Sequence, residues 1–305
     1  MSSDACGWLA IRKPSGMTST DVVRIVRKTF SMRRVGHAGS LDPSATGVLL
    51  VAVGEATKLM PLAMESDKVY RFTIAFGAET DTDDATGEAL AESDQRPANS
   101  DIERVIGQFE GDILQVPPRY SALKVSGKRA HQLAREGKSF NLAPRRQRIH
   151  ELRMIDRVSR HQALFEVRCN KGTYVRSLAR DIGRELGCLG HADKLERTGV
   201  GSFRLEDCIS LEDLRRHEAA TSPASKLLLP IEAVLDSITE HPCTPAELER
   251  VQHGNPIGVA AGKYREGEKI WLSDNGMVRA IAVYRPPLLK PKRVFGSGTA
   301  ANVSN

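Results

Sequence analysis

Apolar side chains follow the periods of strands and helices along most of the chain. Residues 48–53 form an unbroken apolar run, which predicts a strand buried on both faces. Residues 69–76 alternate between apolar and other side chains, so we expect a half-buried strand with Tyr70 at its opening end. A strand-like segment at 164–169 is followed by a turn and then by apolar residues at helical spacing: Val175, Leu178, Ala179, Ile182 and Leu186.

Shorter elements complete the pattern. Ser19 or Thr20 can cap a helix in which Val22, Val26 and Phe30 share a face. Beyond residue 240 the apolar segments shorten and are separated by Gly-rich turns, which predicts a small β-barrel. The remaining predicted strands are 7–11, 257–259, 269–272 and 278–284, and the remaining helices begin near 54, 101 and 129.

Length and composition favour an ordinary globular protein. A chain of 305 residues suggests about two domains, and 40% hydrophobic with 27% charged residues is typical of this class. No apolar run approaches the roughly 18 residues of a membrane span. The amino terminus lacks the basic start and apolar centre of a secretory signal, so we expect a cytoplasmic protein. The five scattered cysteines contain no Cys-x-x-Cys and suggest neither a zinc site nor a disulfide framework.

Charge is unevenly distributed, although the net value of +6 is modest. Residues 1–40 carry seven Lys and Arg against two acids, and residues 122–150 carry eight against one. These segments could follow a phosphate backbone, or they could be ordinary solvated surface. Residues 79–94 hold seven acids and no base. We expect residues 79–98 to form a solvated hairpin tip whose acids point away from any nucleic acid.

One acid stands out, Asp42, in a loop of small residues before the apolar run. Gly36, Gly39 and Gly47 permit backbone angles closed to other residues, and Pro43 disfavours a helical conformation at Asp42. The small neighbours would leave a concave space beside the carboxylate. From the residues alone, Asp42 could be a nucleophile at the mouth of a buried strand, or it could cap local backbone amides in a turn.

A family resemblance rests on these residues. Gly36-His37 followed by Gly-Ser-Leu-Asp-Pro-Ser-Ala-Thr-Gly-Val-Leu from residue 39 resembles the signature of the tRNA pseudouridine synthases that modify the T-loop uridine at position 55. A second stretch, Lys-Gly-Thr-Tyr-Val-Arg at 171–176, resembles another motif of that family. The resemblance extends over most of residues 8–210. It implies an isomerase with an α+β fold, a mixed β-sheet catalytic domain and no cofactor or metal.

The resemblance also implies roles for individual residues. Asp42 would be the nucleophile and Arg176 its ion-pair partner. An adjacent arginine favours the ionised form of a buried carboxylate, so we expect the two side chains to touch. Tyr70 would stack on the flipped uracil, while Tyr174 and Leu195 would line its pocket.

Three further positions are carried over with differing roles. His37 would occupy the space vacated by the flipped nucleotide. Lys13 matches a position near the active-site loop, where we favour a local structural or electrostatic role over chemistry. Glu196 departs from the family pattern, which has a basic residue there, so a phosphate contact at this position is in doubt.

The resemblance implies a division of the chain. Residues 1–240 would form the catalytic domain, with 122–150 as a basic RNA-binding arm. Residues 241–295 would form a PUA-like RNA-binding domain, and 296–305 a disordered tail. We expect a monomer that binds the T stem-loop of tRNA, with no membrane and no protein partner.

Two other functions remain open at this point. An RNA-binding or tRNA-folding protein would use the basic surfaces, with Asp42 purely structural. A cofactor-free N-glycosidase would use an acid in a similar way and release the base.

Overall fold

The computed structural model describes residues 5–219 and 224–296, in which strands outnumber helices. The strands are β1 (Gly7–Lys13), β2 (Val35–His37), β3 (Thr46–Val53), β4 (Lys68–Phe76), β5 (Ala78–Thr80), β6 (Ala89–Glu92), β7 (Gly111–Gln115), β8 (Lys124–Val125), β9 (Lys128–Arg129), β10 (Arg145–Ser159), β11 (Gln162–Cys169), β12 (Gly190–Val200), β13 (Phe203–Arg204), β14 (Thr239–Pro242), β15 (Ile257–Gly258), β16 (Lys269–Asp274), β17 (Met277–Arg285) and β18 (Leu288–Val294).

Helices are fewer and mostly short. The α-helices are α1 (Ser19–Thr29), α2 (Met60–Glu65), α3 (Asn99–Ile106), α4 (Ala130–Arg135), α5 (Val175–Glu185), α6 (Leu211–Ala219) and α7 (Pro245–Gln252). The 3-10 helices are Gly54–Leu59, Gly107–Phe109, Leu205–Asp207, Ala224–Leu227 and Ile231–Val234. Between residues 5 and 219 and between 224 and 296, no helix combines the length and apolar character that a membrane crossing requires.

A large mixed sheet forms the frame of the molecule. Its strands lie in the order β1-β3-β12-β4-β11-β10-β7, with β2 on β3 and β13 on β12. The β3–β12 pair is parallel, and the other pairs are antiparallel. Because β3 and β12 run side by side, the loop that enters β3 and the middle of β12 come together near the centre of the sheet.

Apolar residues pack on both faces of this sheet, as the unbroken run at 48–53 predicts. On one face Leu49 and Val51 pack with Val22 and Val26 of α1. On the other face Val48, Leu50 and Ala52 of β3 pack with Trp8, with the 3-10 helix Gly54–Leu59 and with α2. Farther along the sheet, α3 and α5 cover a separate cluster around the stacked rings of Phe72 and Phe165, whose centroids are 5.5 Å apart.

A second, five-stranded sheet follows in the order β14-β16-β17-β18-β15, and this half-barrel fits a PUA-like domain. Val278 and Ile281 of β17 pack into the same cluster as Trp8 and Leu50 of the large sheet. Glu65, at the end of α2, forms ion pairs with Lys171 of the turn after β11 and with Lys269 of β16. The two sheets therefore share one apolar cluster.

The α+β fold is confirmed, and the predicted strands and helices are present with shifted ends. Helix α1 is capped by Thr18 and not by Ser19 or Thr20: Thr18 and Asp21 form a reciprocal capping box. The helix predicted from residue 54 begins as a 3-10 helix and becomes α-helical at Met60. Strands β14 and β18 of the second sheet were not predicted from the sequence.

The basic segment predicted at 122–150 divides between two parts of the structure. It includes the β8–β9 hairpin and α4, while its last residues, from Arg145 onward, belong to β10 of the large sheet. The domain boundary at residue 240 stays a prediction, as strand β14 spans it. The tail at 296–305 lies outside the described residues apart from Gly296.

Leu49 should carry a large share of the stability of the strand behind Asp42, because it is fully buried. We expect Leu49→Ala to lower the free energy of unfolding by about 2–5 kcal/mol through lost burial and an unfilled cavity. Leu90→Ala is the matched control, since Leu90 is 65% exposed; its change should stay within about 0.5 kcal/mol. Urea denaturation monitored by tryptophan fluorescence measures both, and equal effects would contradict this packing.

Candidate active site

Hydrogen bonds with Ser19 hold the buried side of the loop that carries Asp42. Ser19 Oγ accepts a hydrogen bond from Leu41 N at 2.9 Å, and the Ser19 hydroxyl lies 3.2 Å from Leu41 O, to which it can donate. Gly47 adopts φ +105°, and a Cβ there would lie 2.2 Å from the carbonyl oxygen of Arg197. Only glycine allows β3 to approach β12 this closely at the base of the loop.

Lys13 is fully buried beneath this loop. Its Nζ donates to the carbonyl oxygens of Pro14 at 2.8 Å, Met17 at 2.7 Å and Pro43 at 3.2 Å. Burial lowers the pKa of Lys13 to about 8, while the nearby Asp42 carboxylate acts in the opposite direction. The side chain ties the segment after β1 to the Asp42 loop, which agrees with the structural and electrostatic role expected for it.

Arg197 supports the same loop from β12 and was not recognised from the sequence. It is 1% exposed, and its Nε donates to Val48 O at 2.8 Å. Its Nη1 and Nη2 donate to Ser40 O at 3.3 Å and Gly39 O at 3.1 Å. A single buried guanidinium thus satisfies three carbonyls on both sides of Asp42.

Asp42 and Arg176 are in contact, as expected. Arg176 Nε lies 2.8 Å from Asp42 Oδ2. The arginine side chain is 6% exposed, whereas that of Asp42 is 42% exposed. Arg176 stands in the first turn of α5, where Tyr174 is the N-terminal cap residue. The carboxylate is therefore open to solvent on one side and held by a buried cation on the other.

The remaining donors of Arg176 are also used. Nη1 donates to Thr82 O at 2.7 Å, and Nη2 donates to Tyr120 O at 2.9 Å. Asp84 Oδ2 lies 3.7 Å from Nε. One guanidinium therefore connects α5, the Asp42 loop, the β5–β6 hairpin and the segment after β7.

The expectation of a solvated acidic tip that points away was wrong for Asp83 and Asp84. Both are buried. Arg180 Nη1 lies 2.7 Å from Asp83 Oδ2, and burial raises the pKa of Asp83 to about 6 despite this cation. Asp84 Oδ1 accepts hydrogen bonds from Thr82 Oγ1 at 2.8 Å and Thr86 N at 3.0 Å. Two arginines of α5 draw this hairpin into the site.

Tyr70 and Tyr174 lie near Asp42, and Leu195 shares a face of the sheet with Tyr70. Between β12 and β4, Leu195 lies opposite Phe72 and Arg197 lies opposite Tyr70. The side chains of these two cross-strand pairs share one face of the sheet. Burial raises the pKa of the Tyr70 phenol, with opposing effects from Arg197 and Asp42. Burial also raises the pKa of Tyr174, and Asp42 acts in the same direction. All three side chains are partly buried.

His37 and Glu196 lie at the margin of this group. His37 closes β2, opposite Val51 of β3, and its buried Nδ1 has no hydrogen-bond partner. Burial and the charge of Arg197 lower the pKa of His37. Glu196 forms an ion pair with Arg12 at 3.1 Å. The acid that departs from the family pattern therefore pairs with a side chain of β1, across the intervening strand β3.

The Asp42 carboxylate is 42% exposed and has the rings of Tyr70 and Tyr174 near it, so a flat base can approach it from the solvent side. The buried cations behind it favour negative charge at this position. The arrangement suits nucleophilic attack by a carboxylate on an electrophilic carbon of a bound ring.

Comparisons with known proteins identify the family of this chain. The TruB family pseudouridylate synthase N-terminal domain model matches residues 27–175, and the tRNA pseudouridylate synthase B C-terminal domain model matches 176–236. Proteins named tRNA pseudouridine synthase B from Ruegeria sp. (strain TM1040) and Dinoroseobacter shibae are each 45% identical over 96% of this chain and 96% of their own length. A relative from Paracoccus denitrificans is 44% identical over 96% of this chain and 97% of its own.

Solved structures show the same fold. An H/ACA RNP bound to a substrate RNA containing 2′-deoxyuridine includes a chain that matches with a TM-score of 0.74 and 21% identity, over 96% of this chain and 86% of that one. The archaeal box H/ACA sRNP Nop10-Cbf5 complex includes one that matches with a TM-score of 0.75 and 20% identity, over 97% and 89%. With both family models and near-complete coverage by relatives at 45% identity, this chain belongs to the TruB family of pseudouridylate synthases.

Proposed function

We propose that this protein is a tRNA pseudouridine synthase that isomerises the T-loop uridine at position 55. The observation that carries the proposal is the solvent-accessible Asp42 carboxylate held 2.8 Å from the buried Arg176. Family membership and the names of the relatives support tRNA as the substrate. No part of the reaction requires an oxidant or an energy source.

The isomerisation exchanges one bond for another. The N1–C1′ glycosidic bond breaks, the uracil turns, and a C5–C1′ bond forms. The proton on C5 passes to solvent, and N1 takes up a proton. Asp42 acts as the nucleophile, attacking either uracil C6 or ribose C1′, and is released when the product forms.

Arg176 keeps that nucleophile charged and oriented. Two carboxylates, Asp42 and Asp84, share one buried guanidinium, and Lys13 adds a second buried nitrogen below the loop. Removing Asp42 from bulk water costs less free energy when these cations stay in place. Because Arg176 also bonds two backbone carbonyls, it cannot turn away with the substrate.

The target base must leave its stack to reach Asp42, at a cost of a few kcal/mol. Stacking on Tyr70 is worth about 1–3 kcal/mol, which offsets much of this cost. Tyr174 and Leu195 line the remainder of the pocket, and His37 fills the space that the nucleotide vacates.

The rest of the RNA is held by two surfaces. The basic segment 122–150 acts as an arm that contacts phosphates, and its lysines and arginines are mostly exposed. Residues 241–295 act as a PUA-like RNA-binding domain beside the catalytic domain 1–240. The enzyme works as a monomer in the cytoplasm on the T stem-loop of tRNA and needs no protein partner.

Release of tritium from tRNA labelled at uridine C5 distinguishes the candidate functions. An isomerase releases the label into water and leaves the chain intact. An RNA-binding or tRNA-folding protein releases nothing, and an N-glycosidase frees uracil. Tritium release with an unbroken glycosyl link would therefore exclude both alternatives.

Asp42→Asn should abolish turnover, because an amide cannot act as the nucleophile. We expect tritium release to fall by about 10⁴-fold or more, with tRNA affinity retained within a few-fold. Asp94→Asn, at an exposed position, is the control and should remain active. Substantial tritium release by Asp42→Asn would remove Asp42 from the chemistry.

Arg176→Lys should keep the charge but lose the geometry. A lysine cannot reach Asp42 and both carbonyls with one planar group, so we expect kcat to fall by about 10²–10³-fold while KM changes little. Arg184→Lys, on the same helix with a largely exposed side chain paired to Glu79, is the matched control. A loss of RNA affinity with unchanged kcat would assign Arg176 to binding.

Tyr70 should contribute to RNA binding through its aromatic ring and not through its hydroxyl group. Tyr70→Phe preserves a stacking surface, so it should bind a T stem-loop RNA as the parent protein does. Tyr70→Ala should weaken binding by about 5- to 150-fold, the equivalent of one lost stacking contact. Filter binding measures both, and equal affinities for the two variants would argue against stacking.

A further inference from the structure

We propose that His241, Cys243 and Glu247 form a binding site for one divalent transition metal of the zinc class. The site lies at the junction of β14 and α7 in the second sheet. It is separate from the Asp42 centre and does not depend on the proposed isomerase activity.

The local fold brings the three side chains together. His241 lies in β14, and Cys243 follows two residues later, so both point to the same side of an extended segment. Glu247 stands at the third position of α7 and folds back to the helix cap. Its Oε2 accepts hydrogen bonds from Thr244 N at 2.8 Å and Thr244 Oγ1 at 2.9 Å. Its other oxygen, Oε1, is left facing His241 Nε2 at 3.6 Å.

The buried ring of His241 has one nitrogen without a hydrogen-bond partner, which indicates a place for a ligand. The residue is only 6% exposed, and its buried Nε2 has no hydrogen-bond partner. A buried polar atom without a partner costs about 1–3 kcal/mol. The other ring nitrogen, Nδ1, lies 2.9 Å from the hydroxyl of Tyr264. With a hydrogen on Nδ1 donated to that hydroxyl, Nε2 presents its lone pair to the space shared with Cys243 and Glu247.

The donor set matches zinc-class chemistry. One imidazole nitrogen, one sulfur and one carboxylate oxygen lie within 4.8 Å of one another. Tetrahedral bonds of about 2.0–2.3 Å bring donor atoms to roughly 3.3–3.8 Å from one another, so small side-chain movements suffice. Solvent water would fill the fourth position. A thiolate and a carboxylate together neutralise a divalent cation.

Binding releases a proton to solvent. A metal-bound cysteine is a thiolate, so the Cys243 thiol gives up its proton on coordination. Coordination replaces that proton by the metal ion, and the negative groups that disfavour a free thiolate then favour the cation.

The ammonium group of Lys263 should weaken metal binding at this site. Its Nζ lies 3.3 Å from His241 Nδ1 and 5.3 Å from the centre of the Tyr264 ring. Once Nδ1 carries a hydrogen, it cannot accept from this ammonium group. The exposed lysine must then turn toward solvent. Removal of its charge should therefore strengthen metal binding without altering any ligand.

The test uses the full chain, freed of metal with a chelator and titrated with Co²⁺ alone. We expect saturation at one equivalent, with a thiolate-to-cobalt charge-transfer band in the near ultraviolet. Cys243→Ser should lose the band and bind at least about tenfold more weakly. Cys208→Ser is the control, a partly buried cysteine of the large domain, and should keep the band.

Lys263→Met keeps the proposal testable even if ligand variants fold poorly. It should bind Co²⁺ several-fold more tightly than the parent chain, and Zn²⁺ should displace the cobalt from both. No charge-transfer band in the parent chain would overturn the proposal. A band that survives in Cys243→Ser, or an affinity that Lys263→Met leaves unchanged or weakens, would overturn it as well.

Discussion

A buried guanidinium is the interaction on which this site depends. Arg176 is almost fully removed from water, and every donor group that it has is directed at an oxygen. Burying an unpaired arginine would be prohibitive, so its partners must all be in place when the protein folds. Those partners come from the Asp42 loop, the acidic hairpin and the segment after β7. One side chain thus fixes four distant parts of the chain in a single arrangement.

The backbone beneath the site is also held by buried cations. Lys13 and Arg197 donate hydrogen bonds to carbonyl oxygens on either side of Asp42, so the backbone of this loop is fixed from below. The strands below are close-packed because Gly47 lets β3 lie against β12. In the mechanism that we propose, Asp42 therefore changes position little when the substrate enters, which lowers the reorganisation needed for reaction.

The sequence predicts the parts of this site that are local or chemically necessary. The apolar run at 48–53 predicts a buried strand, and a buried carboxylate favours a nearby cation, for which the resemblance of the motif at 171–176 indicated Arg176. Asp83 and Asp84 were missed because a run of acids normally lies in water, and their burial depends on α5, more than ninety residues later. Lys13 and Arg197 are buried only because carbonyls from other segments converge on them. His241, Cys243 and Glu247 lack the paired-cysteine spacing that marks a zinc site, and a folded strand–helix junction was needed to bring them together.

The shared core beneath β3 links the two sheets in a further way. Trp8 and Leu50 pack against Val278 and Ile281, so the strand that supports Asp42 is covered on one face by residues more than two hundred positions away. A chain shortened before β17 would expose an apolar surface behind the strand that follows Asp42. Gain or loss of the second sheet during evolution would therefore require simultaneous repacking of the interior beneath Asp42.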